Sequence, residues 1–446
     1  VWYCPGTATA TGTLDGQADG SLVIANAGSS QATGTILLTP STGPSTVVPV
    51  TVAPLSTAVV HEAHFLRAPY VAATVSFDRG EVAVSQSVAG PLGQSNDSCA
   101  STPSRHWYFA SGTTVVGAQL IMALYNPFGQ DAVADMSFAT SNGPSSPSAF
   151  QGLLVPARSM VTVAVDQHVI SDPTIGTTVN ARVGQIVVGK LQLDTIAGES
   201  GVSILTAAQA PTDQWWFAGG MNQPGMIERF HLYDPTDRPA KVRVALSLAE
   251  GQVTPFELDV QPHGQAVLVT NGQARVPLGD AHAATVSSSG APIVVERTVA
   301  AAASPGGPAR AGAGSSGPHA ASAALPPSPS GLGDVMGSPV AARRWVVAAP
   351  RTPQPPIDEV TLYNPGDHQA VASIGVLSHG QLVSIAGASG VSVAPHQRTL
   401  VVISSDLVGI QALELMVSAS SPIVVEREVD QAATHTFNLT LAVPIL

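Results

Sequence analysis

Charge is scarce in this chain. Asp, Glu, Lys and Arg make up 11% of its 446 residues, against about a quarter in an ordinary globular protein. Lysine occurs only at Lys190 and Lys241. The 30 acidic residues outnumber the 18 basic ones, for a formal net charge of −12. With no basic stripe to neutralise a phosphate backbone, nucleic acid is excluded as a partner. Long apolar runs are missing too. Mean hydropathy is +0.25, and no uninterrupted apolar stretch reaches the roughly 18 residues of a membrane helix, so no membrane insertion by this chain is expected. Nor does any window beyond about ten residues hold a 3.6-residue apolar period free of Gly and Pro, which argues against long helices. Cysteine is limited to Cys4 and Cys99, and aromatic residues to 5%.

What is present is repetition. An aromatic cluster recurs at Trp2-Tyr3, Trp107-Tyr108-Phe109 and Trp215-Trp216-Phe217, and as Trp345-Val346-Val347. Nineteen residues after the Trp come Asn126-Pro127, Asp234-Pro235 and Asn364-Pro365, while the first copy has Asn26, delayed by about five residues. A Pro closing an apolar strand follows some 28 to 31 residues later, at Pro54, Pro156, Pro262 and Pro395. A third landmark ends the unit as Pro292-Ile293-Val294-Val295-Glu296-Arg297 and Pro422-Ile423-Val424-Val425-Glu426-Arg427, with drifted copies at Gln86 and Lys190. Such ordered self-similarity decides the architecture before any local assignment does.

The expected organisation is four repeats of about 105 residues, over 1–104, 105–212, 213–299 and 343–446. Segments such as 120–125, 132–138, 160–165 and 179–193 alternate Val, Ile, Leu and Thr between Gly, Pro, Ser and Asn, the pattern of strands and turns. About seven short strands per repeat predict an all-β chain of tandem immunoglobulin-like β-sandwich modules. A propeller blade needs only about 45 residues, a poor match. Residues 300–342 are dominated by Ala, Gly, Pro and Ser, read as a flexible linker that frees repeat four to move independently.

Cys4 and Cys99 lie near the two ends of repeat one. A disulfide between them would stabilise by roughly 4 kcal/mol in the chain-entropy model and implies an oxidising compartment; two separate buried thiols are the alternative. The chain begins at Val1 rather than Met, which suggests a removed signal peptide or trimmed anchor.

Candidate chemistry is thin. Gly312-Ala313-Gly314-Ser315-Ser316-Gly317 spells a dinucleotide fingerprint but sits in the linker. His61-Glu62-Ala63-His64 is one residue short of a zinc-protease motif and has no third ligand to nominate. Asp15-Gly16-Gln17-Ala18-Asp19-Gly20 has too few acids for calcium. No metal or cofactor is therefore expected. Glu296 and Glu426 recur at equivalent positions of separate modules, a poor arrangement for a glycosidase pair; each is expected to pair with a neighbouring Arg or to block a strand edge. Strand alternation sets Tyr108 opposite Trp107 and Phe109, and Trp216 opposite Trp215 and Phe217. Tyr3, Tyr108 and Trp216 thus either fill junctions between modules or form an exposed platform for a sugar ring.

The opening Trp-Tyr-Cys-Pro-Gly at 2–6, Trp107 through Thr114, Leu124-Tyr125-Asn126-Pro127-Phe128 and Val294-Val295-Glu296-Arg297 together resemble an actinobacterial family of secreted or membrane-anchored proteins classed as a domain of unknown function. The resemblance spans essentially the whole chain and includes Cys4 and Cys99. It implies an extracytoplasmic setting and an association with the envelope, and it brings no catalytic residues. The long stretch after Ala300 departs from it.

The expected function is that of a non-enzymatic extracytoplasmic scaffold, its modules forming a rod or bent array. Its partners would be cell-envelope proteins or cell-wall polysaccharide. The alternative is a glycan-binding array using outward aromatics.

Overall fold

The computed structural model describes residues 1–10, 18–196, 198–248, 251–301, 331–348, 357–403, 414–431 and 436–445. It contains no α-helix among them. The chain is a tandem of four β-sandwich modules, each made of two antiparallel sheets.

In the first module the strands are β1 (Trp2–Thr7), β2 (Ser21–Asn26), β3 (Ala32–Pro40), β4 (Thr46–Val52), β5 (Ser56–His61), β6 (Val71–Phe77), β7 (Val82–Gly90) and β8 (Gly93–Ser98). One sheet has the order β1-β6-β3-β4 and the other β5-β2-β7-β8. The second module repeats this plan, from His106–Phe109 at the first position to Gly201–Thr206 at the last. The third runs from Gln214–Phe217 to Gly331–Met336. In the fourth the sixth and seventh positions fuse into one strand, Leu415–Gln431, which passes from one sheet to the other.

The recurring landmarks hold each sandwich shut. The buried Trp107, Trp215 and Trp345 donate their indole N–H to the carbonyls of Ile186, Ile293 and Ile423 at 2.9, 2.9 and 3.1 Å. The first landmark is thereby bonded to the third. The side-chain amides of Asn26, Asn126 and Asn364 donate to the carbonyls of Val52, Val155 and Val393 at 3.2, 3.0 and 3.0 Å, joining the Asn turn to the strand end before the later Pro. Only an amide can donate there; the third copy carries Asp234, which instead accepts the Thr236 N–H.

The modules close into a ring. The final strands Gly93–Ser98, Gly201–Thr206, Gly331–Met336 and Thr436–Leu441 contact one another in a cycle, the last packing back on the first. Polar side chains stitch the cycle where no ladder runs. Asn96 and Asn438, 342 residues apart, exchange hydrogen bonds: the Asn96 N–H donates to Asn438 Oδ1 at 2.9 Å and Asn438 Nδ2 to Asn96 Oδ1 at 2.6 Å. The Thr206 N–H donates to Asp97 and the Ile204 N–H to Ser95 Oγ. Glycine is required at close approaches: a Cβ on Gly333 would lie 2.8 Å from Leu439 Cγ. The first and fourth modules also meet around Ala25, Ala83, Val346 and Leu377, with Arg344 paired to Glu81 at 2.7 Å.

Two expectations change. A rod or bent array is replaced by a closed ring, because each module's last strand finds partners on both sides. The linker expected over 300–342 is interrupted. Residues 302–330 lie outside the described residues, but Val294–Ala301 and Gly331–Met336 pair as neighbouring strands of the third module, and the fourth module begins with Ala342–Val347. The low-complexity stretch therefore falls inside the third module rather than between modules. Only 337–341 joins the third module to the fourth, which is packed into the ring instead of moving independently. Composition misled at this end because Gly331 and Gly333 are strand residues, the latter kept small by Leu439.

Candidate functional site

The recurrent glutamates Glu296 and Glu426 are spent between modules. Adjacent strand residues face opposite sides, so Glu296 and Arg297 cannot pair with each other. Glu296 faces the preceding module. It accepts the Ala110 and Ser111 N–H groups at 2.7 and 3.2 Å and Lys190 Nζ at 2.6 Å, all from the second module. Lys190 also bonds Asp334 at 2.8 Å, and its own Ser111 carbonyl and hydroxyl at 2.9 and 2.7 Å. One junction later the pattern repeats. Glu426 accepts the Ala218 and Gly219 N–H groups at 2.8 and 3.1 Å and Arg297 Nη2 at 2.8 Å. The expected pairing with a neighbouring Arg is thus corrected: the partner cation belongs to the preceding module. Arg427 instead grips Asp358 of its own module through two bonds.

Burial, partly offset by Lys190, pushes the Glu296 carboxyl up to about 7. Burial pulls the Lys190 ammonium down, but the charges of Asp334 and Glu296 outweigh it and leave its pKa raised. Two carboxyls share one cation, so the cluster holds an extra proton readily.

A second contact recurs beside these. Tyr125, Tyr233 and Tyr363, each just before the Asn or Asp landmark, hydrogen-bond the hydroxyls of Thr74, Thr178 and Thr285 in the preceding module at 2.7, 2.7 and 2.9 Å. Those threonines lie opposite Tyr3, Tyr108 and Trp216 in the ladder. Tyr3 and Tyr108 are half-buried and pack against the cores of the second and third modules, and Trp216 against Tyr363 and Val424 of the fourth. Cys4 and Cys99 form a disulfide joining β1 to the exit of the first module.

The sequence motifs that suggested other chemistry are placed as follows. Glu62–His64 form one short 3-10 turn in which Glu62 is buried and accepts the Thr7 hydroxyl. Among the described residues no group of three or more His, Cys, Asp or Glu side chains could hold a metal ion. Residues 312–317, and 15–17 of the acidic loop, lie outside the described residues.

Below the Lys190 cluster a cavity of about 300 Å³ opens between the second and third modules. Its walls include Val115, Ile196 and Leu332, and its polar lining includes Gln192, Asp194, Ser203, His231 and Asp334. Burial pushes Asp194 up to about 7 against the opposing hydrogen bond from Gln192, 2.7 Å long. Burial, with Lys190 and Arg229 nearby, pushes His231 down to about 3, so its imidazole is neutral. Sequence reading missed this cavity because its residues come from five strands of two modules and share no motif.

A model of a family of unknown function (DUF5719) matches the chain twice, over residues 79–215 and 198–326, together more than half its length. The chain belongs to the DUF5719 family. No curated protein matches it. Among solved structures, Thermotoga maritima 1070 is 13% identical, with a TM-score of 0.21 over 29% of this chain and 94% of that one. The Anabaena sensory rhodopsin transducer is 23% identical, with a TM-score of 0.18 over 19% of this chain and 94% of that one. A tetra-tandem repeat in the extending region of a large adhesion protein is 11% identical, with a TM-score of 0.10 over 99% of each chain. At these TM-scores none carries an argument for this DUF5719 chain. Membership fits a non-catalytic scaffold in general, and no helix among the described residues is long and apolar enough to cross a membrane.

Proposed function

We propose that this chain is a non-catalytic protein of an actinobacterial cell envelope, extracytoplasmic, acting as a structural or protein-docking scaffold. The observation that carries the reading is the use made of the recurrent charged residues. Glu296, Lys190, Glu426 and Arg297 are buried and committed to holding modules together, which presents four sandwich exteriors in fixed relation. The Cys4–Cys99 disulfide supports an oxidising location. A glycan-binding array would use Tyr3, Tyr108 and Trp216 as open platforms, and their half-buried packing at junctions weighs against it.

The test is retention of the purified chain on insoluble cell-wall polysaccharide and peptidoglycan, with Tyr108→Ala and Trp216→Ala variants alongside, and crosslinking in cells to capture envelope proteins. The scaffold reading expects crosslinked envelope proteins and no retention that depends on those rings. Retention lost in both variants would replace it with glycan recognition.

A further inference from the structure

The cavity between the second and third modules holds polar atoms that the fold leaves unused. Asp334 bonds Lys190 through Oδ2 only, and its Oδ1 is buried with no hydrogen-bond partner among the described residues. Ser203, 1% exposed, has an Oγ in the same condition. Both residues line the cavity, as does Asp194. A buried polar atom without a partner costs about 1 to 3 kcal/mol, and two such atoms in one cavity lining, beside the Asp194 carboxyl, define a demand for donors.

The other polar groups there are already engaged. Gln192 donates to Asp194 and to the Thr113 carbonyl, and its oxygen accepts the Thr113 N–H. His231 is bonded to Thr298 at 2.9 Å, and Arg229 to Glu199 at 2.9 Å. The Arg229–Glu199 pair cancels, and Lys190 is balanced by Glu296, which leaves the carboxyls of Asp194 and Asp334 as the net charge facing the space. Among the described residues no group of three or more metal-ligating side chains gathers here, which leaves a metal ion short of ligands. The remaining surface is largely apolar, from Val115, Ile196 and Leu332.

From this geometry we infer that the cavity between the second and third modules binds a small organic cation: a primary ammonium group donating to Asp334 Oδ1, Asp194 and Ser203 Oγ, on a compact hydrocarbon body packed against Val115, Ile196 and Leu332. An ammonium brings three donors and one positive charge to acceptors of net negative charge. The site does not depend on the scaffold reading, and either can fail alone.

The test is calorimetric titration of the full chain with cyclohexylamine, using cyclohexanol as the neutral partner of the same shape, on wild type and on Asp194→Asn and Ser203→Ala. The amine should bind saturably at about pH 8 and more weakly at about pH 6, where Asp194 takes up a proton, and the alcohol should not bind. Asp194→Asn should weaken binding at least about tenfold and Ser203→Ala severalfold. Absence of saturable amine binding, equal binding of the alcohol, or unchanged affinity in both folded variants overturns the assignment. Should a variant fail to melt cooperatively, the amine-against-alcohol contrast in wild type decides the question.

Discussion

At the junction of the second and third modules, Glu296 reaches across to two backbone N–H groups and Lys190. At the junction of the first and second, the same positions hold Gly189 and Pro5. A Cβ on Gly189 would lie 2.6 Å from Pro5 Cγ, so no side chain fits, and Pro5 has no N–H to offer one. The carboxylate and the first of its two donors are missing together, while the second, the Gly6 N–H, donates to Gln86 Oε1 at 3.2 Å. At these two junctions one position in the repeat is therefore filled differently, as a buried charge with partners or as a close apolar contact. Both obey the rule that an unpartnered buried polar group is the expensive outcome. The closing junction between the fourth and first modules has Ala25 at the place of Tyr125, Tyr233 and Tyr363, and there the apolar contact around Ala25, Ala83, Val346 and Leu377 is flanked by the Arg344–Glu81 pair.

This contrast can be broken at several points. The largest effect is expected from Glu426→Ala, which leaves Arg297 buried with Glu228 3.8 Å away and orphans two N–H groups; a loss of about 3 to 5 kcal/mol should appear in chemical denaturation. A carboxyl buried inside a module rather than between modules should give a pH signature. Burial raises Glu62 to about 7, above its unfolded value of about 4.5. The folded chain then holds the proton more tightly, so stability is full below about pH 4.5 and falls as pH rises through about 7, by up to about 3 kcal/mol. Thermal melts across that window should show a fall to which Glu296 and Asp194, also raised to about 7, contribute, and Glu62→Gln should remove the Glu62 share of it. Gly189→Ala should cost about 1 to 3 kcal/mol by overpacking against Pro5, and Pro5→Ala in the same chain should recover part of it. The smallest effect is expected from Tyr363→Phe, about 1 kcal/mol for one buried hydrogen bond to Thr285, read as a shift in denaturation midpoint.

Much of the module was legible in sequence. Trp, Asn and the Pro-ended strands recur because indole and amide bonds join them within each sandwich, at separations short enough to keep a fixed spacing. The ring was not legible. Its contacts join residues from different repeats, up to 342 apart for Asn96 with Asn438, and no periodicity reports which faces meet. One signal was available: Glu and Arg side by side on a strand must face opposite ways, so the Glu of a recurrent Glu-Arg pair is free to face a neighbouring module, as Glu296 and Glu426 do. The cavity left no signal of that kind, since Asp194 lies on the strand Val187–Asp194 and Ser203 and Asp334 stand at different places along the last strands of their modules.

Small-angle X-ray scattering of the full chain tests ring closure most directly. A compact chain of 446 residues has a radius of gyration of about 22 Å, and the closed ring predicts a value near that with a single-peaked distance distribution. A radius roughly twice as large, with the long tail of a rod of sandwiches, would contradict it.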